Sequence, residues 1–503
     1  MGSTRAVCVH GHFYQPPRED PWTGRVPEQT AAAPYHDWNE RITAECYAPN
    51  AAARIVGDDG ETIAELNNYG HISFDIGPTL MQWLAINAPQ VHAAVVEGDR
   101  AGRARFGGHG TAMAQAYHHL IMPLANDRDV ETQVAWGVRD FEHRFGRHPE
   151  GMWLPETAVD LRSLEAMARH GIAFTILEPH QIARVRRDDG DWRDGTDADP
   201  REPHLVRLPS GATIAIFLYS GDVARAIAFE GALSDGHALV DLLEDQFDRG
   251  REHPQLVSVA TDGESYGHHH RFGEMALAYA LREIERRDGL TLTNYGEHLE
   301  WHPPTSEVQV REGTSWSCEH GVERWRSDCG CSAGGHDDWD QAWRAPLRAA
   351  LDWLRDELAS AYEAEAGHWL RDPWRARDAY IDVVLDRSPA TVDAFLAQQG
   401  ADPVGRADRD RVIALLELQQ FAMGMFTSCG WFFDDLGRIE TKQVLRYAAR
   451  ALDLARGALA LDLEPEFLER LSLARSNDPE RGDGRAVYRA ALEISRTQVD
   501  PTR

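Results

Sequence analysis

Two acidic residues stand where short apolar runs end. Gly151 to Leu154 leads into Pro155 and Glu156, and Leu256 to Ala260 leads into Asp262, Glu264, Gly267 and then His268, His269 and His270. Two carboxylates delivered by separate strand ends are the equipment for breaking a glycosidic bond. One stays protonated for the leaving oxygen, and the other, ionised, attacks or steers the anomeric carbon. Read locally, Glu156 can instead cap a helix that starts after Thr157. Histidines accumulate elsewhere: VCVHGHFYQPP sets His10 and His12 at a strand end ahead of Gln15, and GGHGTAMAQAYHHLIMP adds His109, His118 and His119. A third cluster, SWSCEHGVERWRSDCGC, holds Cys318, His320, Cys329 and Cys331. Soft ligands of this number can hold zinc tetrahedrally, but the spacing is not a common zinc pattern. The expectation is therefore a packed, reduced loop with no metal. Trp316, Arg324 and Trp325 in the same stretch are candidates for substrate contact.

The elements that must position these groups are legible in part. Ala6 to Val9, Gly151 to Leu154, Ile172 to Leu177, Thr213 to Tyr219 and Leu256 to Ala260 are apolar runs followed by amphipathic stretches, the pattern of βα units around a parallel sheet. They stop at His10 and His12, Glu156, Glu178, Asp222, and Asp262 with Glu264, as barrel strands do when they deliver a site to their C-terminal face. Arg184 to His204 is polar and acidic and reads as a surface loop. From about residue 340 the period becomes helical, with Trp343, Leu347, Leu351, Leu354, Leu358 and Tyr362 on one stripe and Asp337 or Asp338 as N-cap. Arg409 to Thr427 is helical by pattern, and Val444, Ala448, Leu452, Ala455 and Leu459 form a second stripe. The expected domains are a barrel over 1–304, a Cys/His/Trp loop region over 305–339, a helical domain over 340–475 and a polar tail over 476–503. The tail is expected to fray apart from a short helix near Val487 to Ile494.

The composition narrows the partners. In 503 residues, 52 Lys plus Arg face 81 Asp plus Glu, a net charge of −29 that disfavours nucleic acid and anionic membrane surfaces. Hydrophobic residues at 43% and charged residues at 26% are near globular averages, which excludes disordered and fibrous classes. The apolar stretch before His10 is too short for a secretory segment, so the chain reads as cytoplasmic. Six cysteines in this length do not make a disulfide scaffold. There is no Gly-rich phosphate loop.

These motifs resemble glycoside hydrolase family 57, in particular its subgroup in which a helical domain of unassigned function follows the barrel, over roughly residues 6 to 460. His12, Gln15 and Pro16 are similar to the family's His-Gln-Pro motif, with Phe13 and Tyr14 inserted here. His119 to Pro123 resembles the second motif. Trp153 to Glu156 resembles the third, whose glutamate is the nucleophile, and Asp262 to His268 resembles the fourth, whose aspartate is the general acid/base. MFTSCGWFFDD is similar to the fifth, with Trp431 as the sugar-stacking residue and Asp434 as a hydroxyl ligand. The resemblance implies an α/β fold, a (β/α)7 incomplete TIM-like barrel followed by an α-helical domain that walls the cleft. It implies retaining action on α-glucans or malto-oligosaccharides, by hydrolysis or 4-α-glucano transfer, through a covalent glycosyl-enzyme and without a cofactor. The acids would lie about 5–5.5 Å apart. His10, His12, His109, His119, Glu264 and His268 would bind sugar hydroxyls or orient the acids. The alternatives are a metal-dependent glycan enzyme on a similar barrel, of mannosidase or polysaccharide deacetylase type, and a decayed glycan-binding protein. Whether copies form a homo-oligomer stays open.

Overall fold

The computed structural model describes residues 5–57, 59–187, 190–251, 253–401 and 405–499. The chain divides into two compact units. The first comprises residues 1–15, 29–116 and 141–316, and the second 16–28, 117–140 and 317–503. The split differs from linear boundaries because residues 16–28 and 117–140, far upstream, belong to the helical unit.

The first unit is a ring of seven parallel strands: β1 (Arg5–Phe13), β2 (Ser73–Ile76), β3 (Ala112–Gln115), β4 (Met152–Trp153), β5 (Phe174–Leu177), β6 (Thr213–Leu218) and β7 (Gln255–Asp262). Ladders join β7–β1–β2–β3–β4 into one arc and β5–β6 into another. The arcs meet through an isolated parallel bridge between Gly151 and Phe174, and through the Ser220 N–H donating to the Ser258 carbonyl at 2.7 Å. A two-residue strand, Thr291–Leu292, also pairs with the start of β1. The strands are buried on both faces and apolar almost throughout, as parallel sheets require. The sequence runs expected as strands are strands. The segment expected as a surface loop instead contains strands: Ile182–Arg187, Arg193–Asp194 and His204–Arg207 extend β6 with Ser306–Val310, by antiparallel pairing except for the parallel pair of His204–Arg207 with Ser306–Val310. Its charges are used in ion pairs such as Arg186 and Arg207 with Glu307. Residues 188 and 189 lie outside the described residues.

The second unit is helical. Its long helices are α1 (Arg344–Ala366), α2 (Arg406–Gly424), α3 (Ile439–Leu459) and α4 (Gly484–Val499). The stripes read from sequence are buried: Leu347, Leu351, Leu354, Leu358 and Tyr362 on α1, and Val444, Ala448, Leu452 and Ala455 on α3. Trp136 and Tyr117 from the early segment pack with Tyr362, Tyr380, Leu415 and Leu416. Residues 16–28 are sewn to α3 by Trp22 Nε1 on Asp453 and Gln443 Nε2 on the Glu19 carbonyl. Two expectations are corrected. Helix α1 begins at Arg344 after Trp343, with no side-chain cap from Asp337 or Asp338. Within the described residues the tail is tied down at its start, where Ser476 bonds Asp435, and its helix is longer than expected, Gly484–Val499, burying Val487, Tyr488 and Ala491.

Candidate active site

Strand periodicity places the first group. In the β1–β2 register His10 lies beside Ser73 and His12 beside Asp75, so all four side chains share the inner face. Asp75, wholly buried, bridges both rings: its Oδ1 is 3.0 Å from His10 Nε2 and its Oδ2 is 2.8 Å from His12 Nδ1. Trp153 lies against both imidazoles with centroids 5.0 and 4.9 Å away, so its buried indole is the wall on which the histidines rest. Burial alone would lower the His12 pKa, but Asp75, then Asp262 and Glu264, raise it to about 9. Burial dominates at His10 and lowers its pKa. The two rings are thus shifted in opposite directions, and burial's upward pull on Asp75 is outweighed by the two histidines, His12 first.

The end of β7 supplies the second group. Asp262 is open to solvent on one side while protein packs densely around it, and that enclosure raises its pKa; Asp75 adds to the rise and His12 opposes it. Glu264 is buried; Tyr47 Oη donates to it at 2.5 Å and the Tyr14 N–H at 3.1 Å. Burial, partly offset by the Tyr47 bond, and the neighbouring Asp262 raise it to about 7. The glycines of this motif have physical reasons. A Cβ on Gly263 would sit 2.3 Å from the Phe13 ring, and one on Gly267, at φ +140°, 2.4 Å from the Glu45 carbonyl oxygen. The second turn brings His268 Nδ1 to 2.5 Å from Glu45.

Glu156 is held differently. It and Thr157 have φ of 58° and 49°, a left-handed region that costs a non-glycine residue about 1–3 kcal/mol. The segment Gly313–Trp316 compensates. Val159 pairs with Thr314, the Trp316 N–H donates to the Glu156 carbonyl at 3.1 Å, and Trp316 Nε1 donates to Glu156 Oε2 at 3.1 Å. Gln181 ties the same turn through Thr157 and Thr314. Glu156 therefore does not cap a helix; Asp160 caps the helix Leu161–Arg169 instead.

The mouth thus gathers His10, His12, Trp153, Glu156, Asp262, Glu264, Trp316 and, through Glu45, His268. Gln15, half-buried at the end of β1, turns its amide onto the Tyr14 carbonyl. His109 is corrected. It precedes β3, at the opposite end of the barrel from the strand-end acids, and is clamped between Glu150 (2.6 Å) and Glu300 (2.8 Å). Asp222 is an exposed helix residue beside Arg225. Five candidates belong to the helical unit. His119, also left-handed, bonds Ser428 at 2.6 Å. Trp325 and Trp431 are wholly buried in that unit, which removes the open ring face a sugar needs, and Arg348 lies 4.2 Å from the Trp431 ring. Arg324 is buried against Phe432, and the Asp434 carboxylate accepts the Ala333 N–H.

Sequence reasoning missed Asp75, Tyr47 and Gln115. Asp75 carried the same signal as the other acids, in the short run HISFDIG, which was not read as a strand. Gln115 ends β3 beside Trp153, is buried, and has neither amide atom bonded. Such a group is a donor–acceptor pair waiting for a partner.

A seven-stranded parallel barrel with carboxyl groups at its strand ends, one of them with a pKa raised by its enclosure, is an arrangement suited to glycoside cleavage. Residues 56–311 match Glycosyl hydrolase family 57, and the chain belongs to that family. Residues 339–502 match a domain of unknown function, DUF3536. Among solved structures, the chain is similar to an exo-type maltose-forming amylase from Pyrococcus sp. ST04, at 14% identity, TM-score 0.73, covering 99% of this chain and 93% of that one. It is also similar to a branching enzyme from Pyrococcus horikoshii (14% identity, TM-score 0.58, 98% and 95% covered). A third likeness is to a 4-alpha-glucanotransferase from Thermococcus litoralis (14%, TM-score 0.53, 91% and 60%). No curated protein matches the sequence. Among the described residues no helix is long and apolar enough to cross a membrane.

Proposed function

We propose that the chain is a retaining enzyme of α-linked glucans, with Glu156 as nucleophile and Asp262 as general acid/base. Glu156 attacks the anomeric carbon while protonated Asp262 gives its proton to the departing glycosidic oxygen. A covalent glycosyl ester forms on Glu156. Asp262 then takes a proton from water or from a sugar hydroxyl, whose oxygen displaces Glu156 with a second inversion. His12, whose affinity for a proton is raised by Asp75, limits how far the Asp262 pKa rises, and Asp75 opposes that effect. The amylase, branching enzyme and glucanotransferase likenesses support an α-glucan substrate.

The observation that carries the reading is the clamping of Glu156 in a left-handed conformation by Trp316, at one edge of the arc whose other edge presents Asp262. The test is incubation with maltoheptaose and amylose, resolving products by chain length. Shorter products alone define a hydrolase; products both shorter and longer than the donor define a transferase. Turnover that survives Glu156→Gln and Asp262→Asn defeats the assignment.

A further inference from the structure

The loop after Trp316 folds two short pairs, Cys318 with His320 and Cys329 with Cys331, onto each other. Within the helical unit, Cys318 Sγ lies 3.9 Å from Cys329 Sγ and 3.7 Å from Cys331 Sγ, and Cys331 Sγ lies 3.5 Å from His320 Nδ1. One ligand atom from each of the four residues falls within 4.8 Å of every other. These distances are too long for a disulfide, whose sulfurs are bonded at about 2.05 Å. They are the edges of a coordination tetrahedron. With Zn–S of about 2.3 Å and Zn–N of about 2.0–2.1 Å, tetrahedral angles give S···S of about 3.8 Å and S···N of about 3.6 Å.

The backbone is built for this convergence. Gly330, between the two last cysteines, has φ +80°, and Gly321, after His320, has φ +85°; a Cβ on Gly330 would meet nothing, so its need is conformational. Two buried guanidiniums stand at the rim: Arg344 Nη1 donates to the Cys331 carbonyl and Arg324 Nη2 to the Ser332 carbonyl, both at 3.1 Å. Three thiolates around a divalent ion leave one net negative charge, which such cations offset. The segment needs a staple. From Arg326 to Gln341 it has no helix or strand and most side chains are exposed.

We infer that Cys318, His320, Cys329 and Cys331 form a closed tetrahedral Cys3His site for a structural divalent metal ion, zinc by ligand chemistry, that locks this loop onto the helical unit. A metal site here departs from the expectation of a metal-free packed loop, which rested on the uncommon spacing, because the four ligand atoms converge in three dimensions. With four protein ligands the ion has no open position, so its task is folding rather than catalysis.

The test uses the full chain, produced in zinc-supplemented medium and purified without chelator. Elemental analysis is expected to find about one zinc per chain, released by a mercurial reagent. Replacement by cobalt is expected to give thiolate charge-transfer bands and intense tetrahedral d–d bands. Cys331→Ser and Cys329→Ser should lose the metal, and Cys429→Ser should keep it. If the serine variants misfold, His320→Cys, which preserves four ligands, should retain cobalt with a shifted spectrum, and His320→Ala should bind it at least tenfold more weakly. Wild-type protein reconstituted with zinc under reducing conditions that holds no metal overturns the inference. So does a Cys318–Cys331 disulfide in native peptide maps, or full metal content in folded Cys329→Ser.

Discussion

Tryptophan and charge meet in both units, with opposite results. In the barrel, Trp153 supports two histidines and Trp316 donates to Glu156, so the aromatic rings aim ionisable groups at a common space. In the helical unit Trp431 is wholly buried under Arg348, whose Nε also bonds the Trp325 carbonyl at 3.0 Å. There the rings accommodate buried guanidiniums, and the side chains act as ties between helices. The same residue type is an organiser of reactivity where it borders a strand end and a packing element where it fills a helical stripe. Fifteen tryptophans in a carbohydrate-active chain therefore do not mean fifteen sugar platforms.

Mutations can break this contrast. The largest effect is expected at the acids: Glu156→Gln should lower kcat by roughly 10³-fold or more. Asp262→Asn should lower it by about 10²–10⁴-fold, with an unchanged melting curve for both variants. Next comes Trp431→Ala, expected to destabilise the protein by about 3–5 kcal/mol in urea unfolding. Trp431→Phe should leave KM for malto-oligosaccharides unchanged; a strong rise in KM would return Trp431 to a sugar-stacking role. Trp316→Phe keeps the ring and removes the donor to Glu156. It should reduce kcat by about tenfold, in line with a charged hydrogen bond of about 1.5–3 kcal/mol only partly realised in the transition state.

Much of the barrel site could be read from sequence, and the reason is local. His12 and Asp262 stand at the ends of long apolar strands, and Glu156 follows the apolar run Gly151 to Leu154, so chain order points to all three. Strands β2 and β3 have four residues each, too short for a period to declare itself, and with them went Asp75 and Gln115. The Glu156 conformation depends on Trp316, a partner 160 residues away, and no local pattern encodes it. In the helical unit the error ran the other way. MFTSCGWFFDD has the composition of a sugar site, and tertiary packing turned its tryptophan inward.

Smaller effects sharpen the comparison. Gln115→Ala should raise KM about tenfold while leaving stability unchanged or slightly increased, since an unbonded buried amide is removed. The pH response should separate the units. His12 and Glu264 both have folded pKa values raised, to about 9 from 6.5 and to about 7 from 4.5. Proton binding thus favours the folded barrel below the unfolded values, and this stabilisation is lost as pH rises through 7 and then 9. Melting temperature should fall over that range, and the fall should flatten in Glu264→Gln and His12→Gln. The basic limb of kcat/KM should follow deprotonation of Asp262, whose enclosure moves that limb above the ordinary aspartate range.

The two ladder-joined arcs carry a consequence for how reaction geometry is inherited. β4 and β7 are the outer strands of the same five-strand arc, so the gap between the two acids is a chord of that arc. Its length depends on how tightly β1, β2 and β3 curve between them. A substitution that flattens the sheet at Phe74 or Met113 would change the reach between nucleophile and acid as surely as a change in either. In such an architecture catalytic distance is a property of curvature, distributed over residues that never meet a sugar.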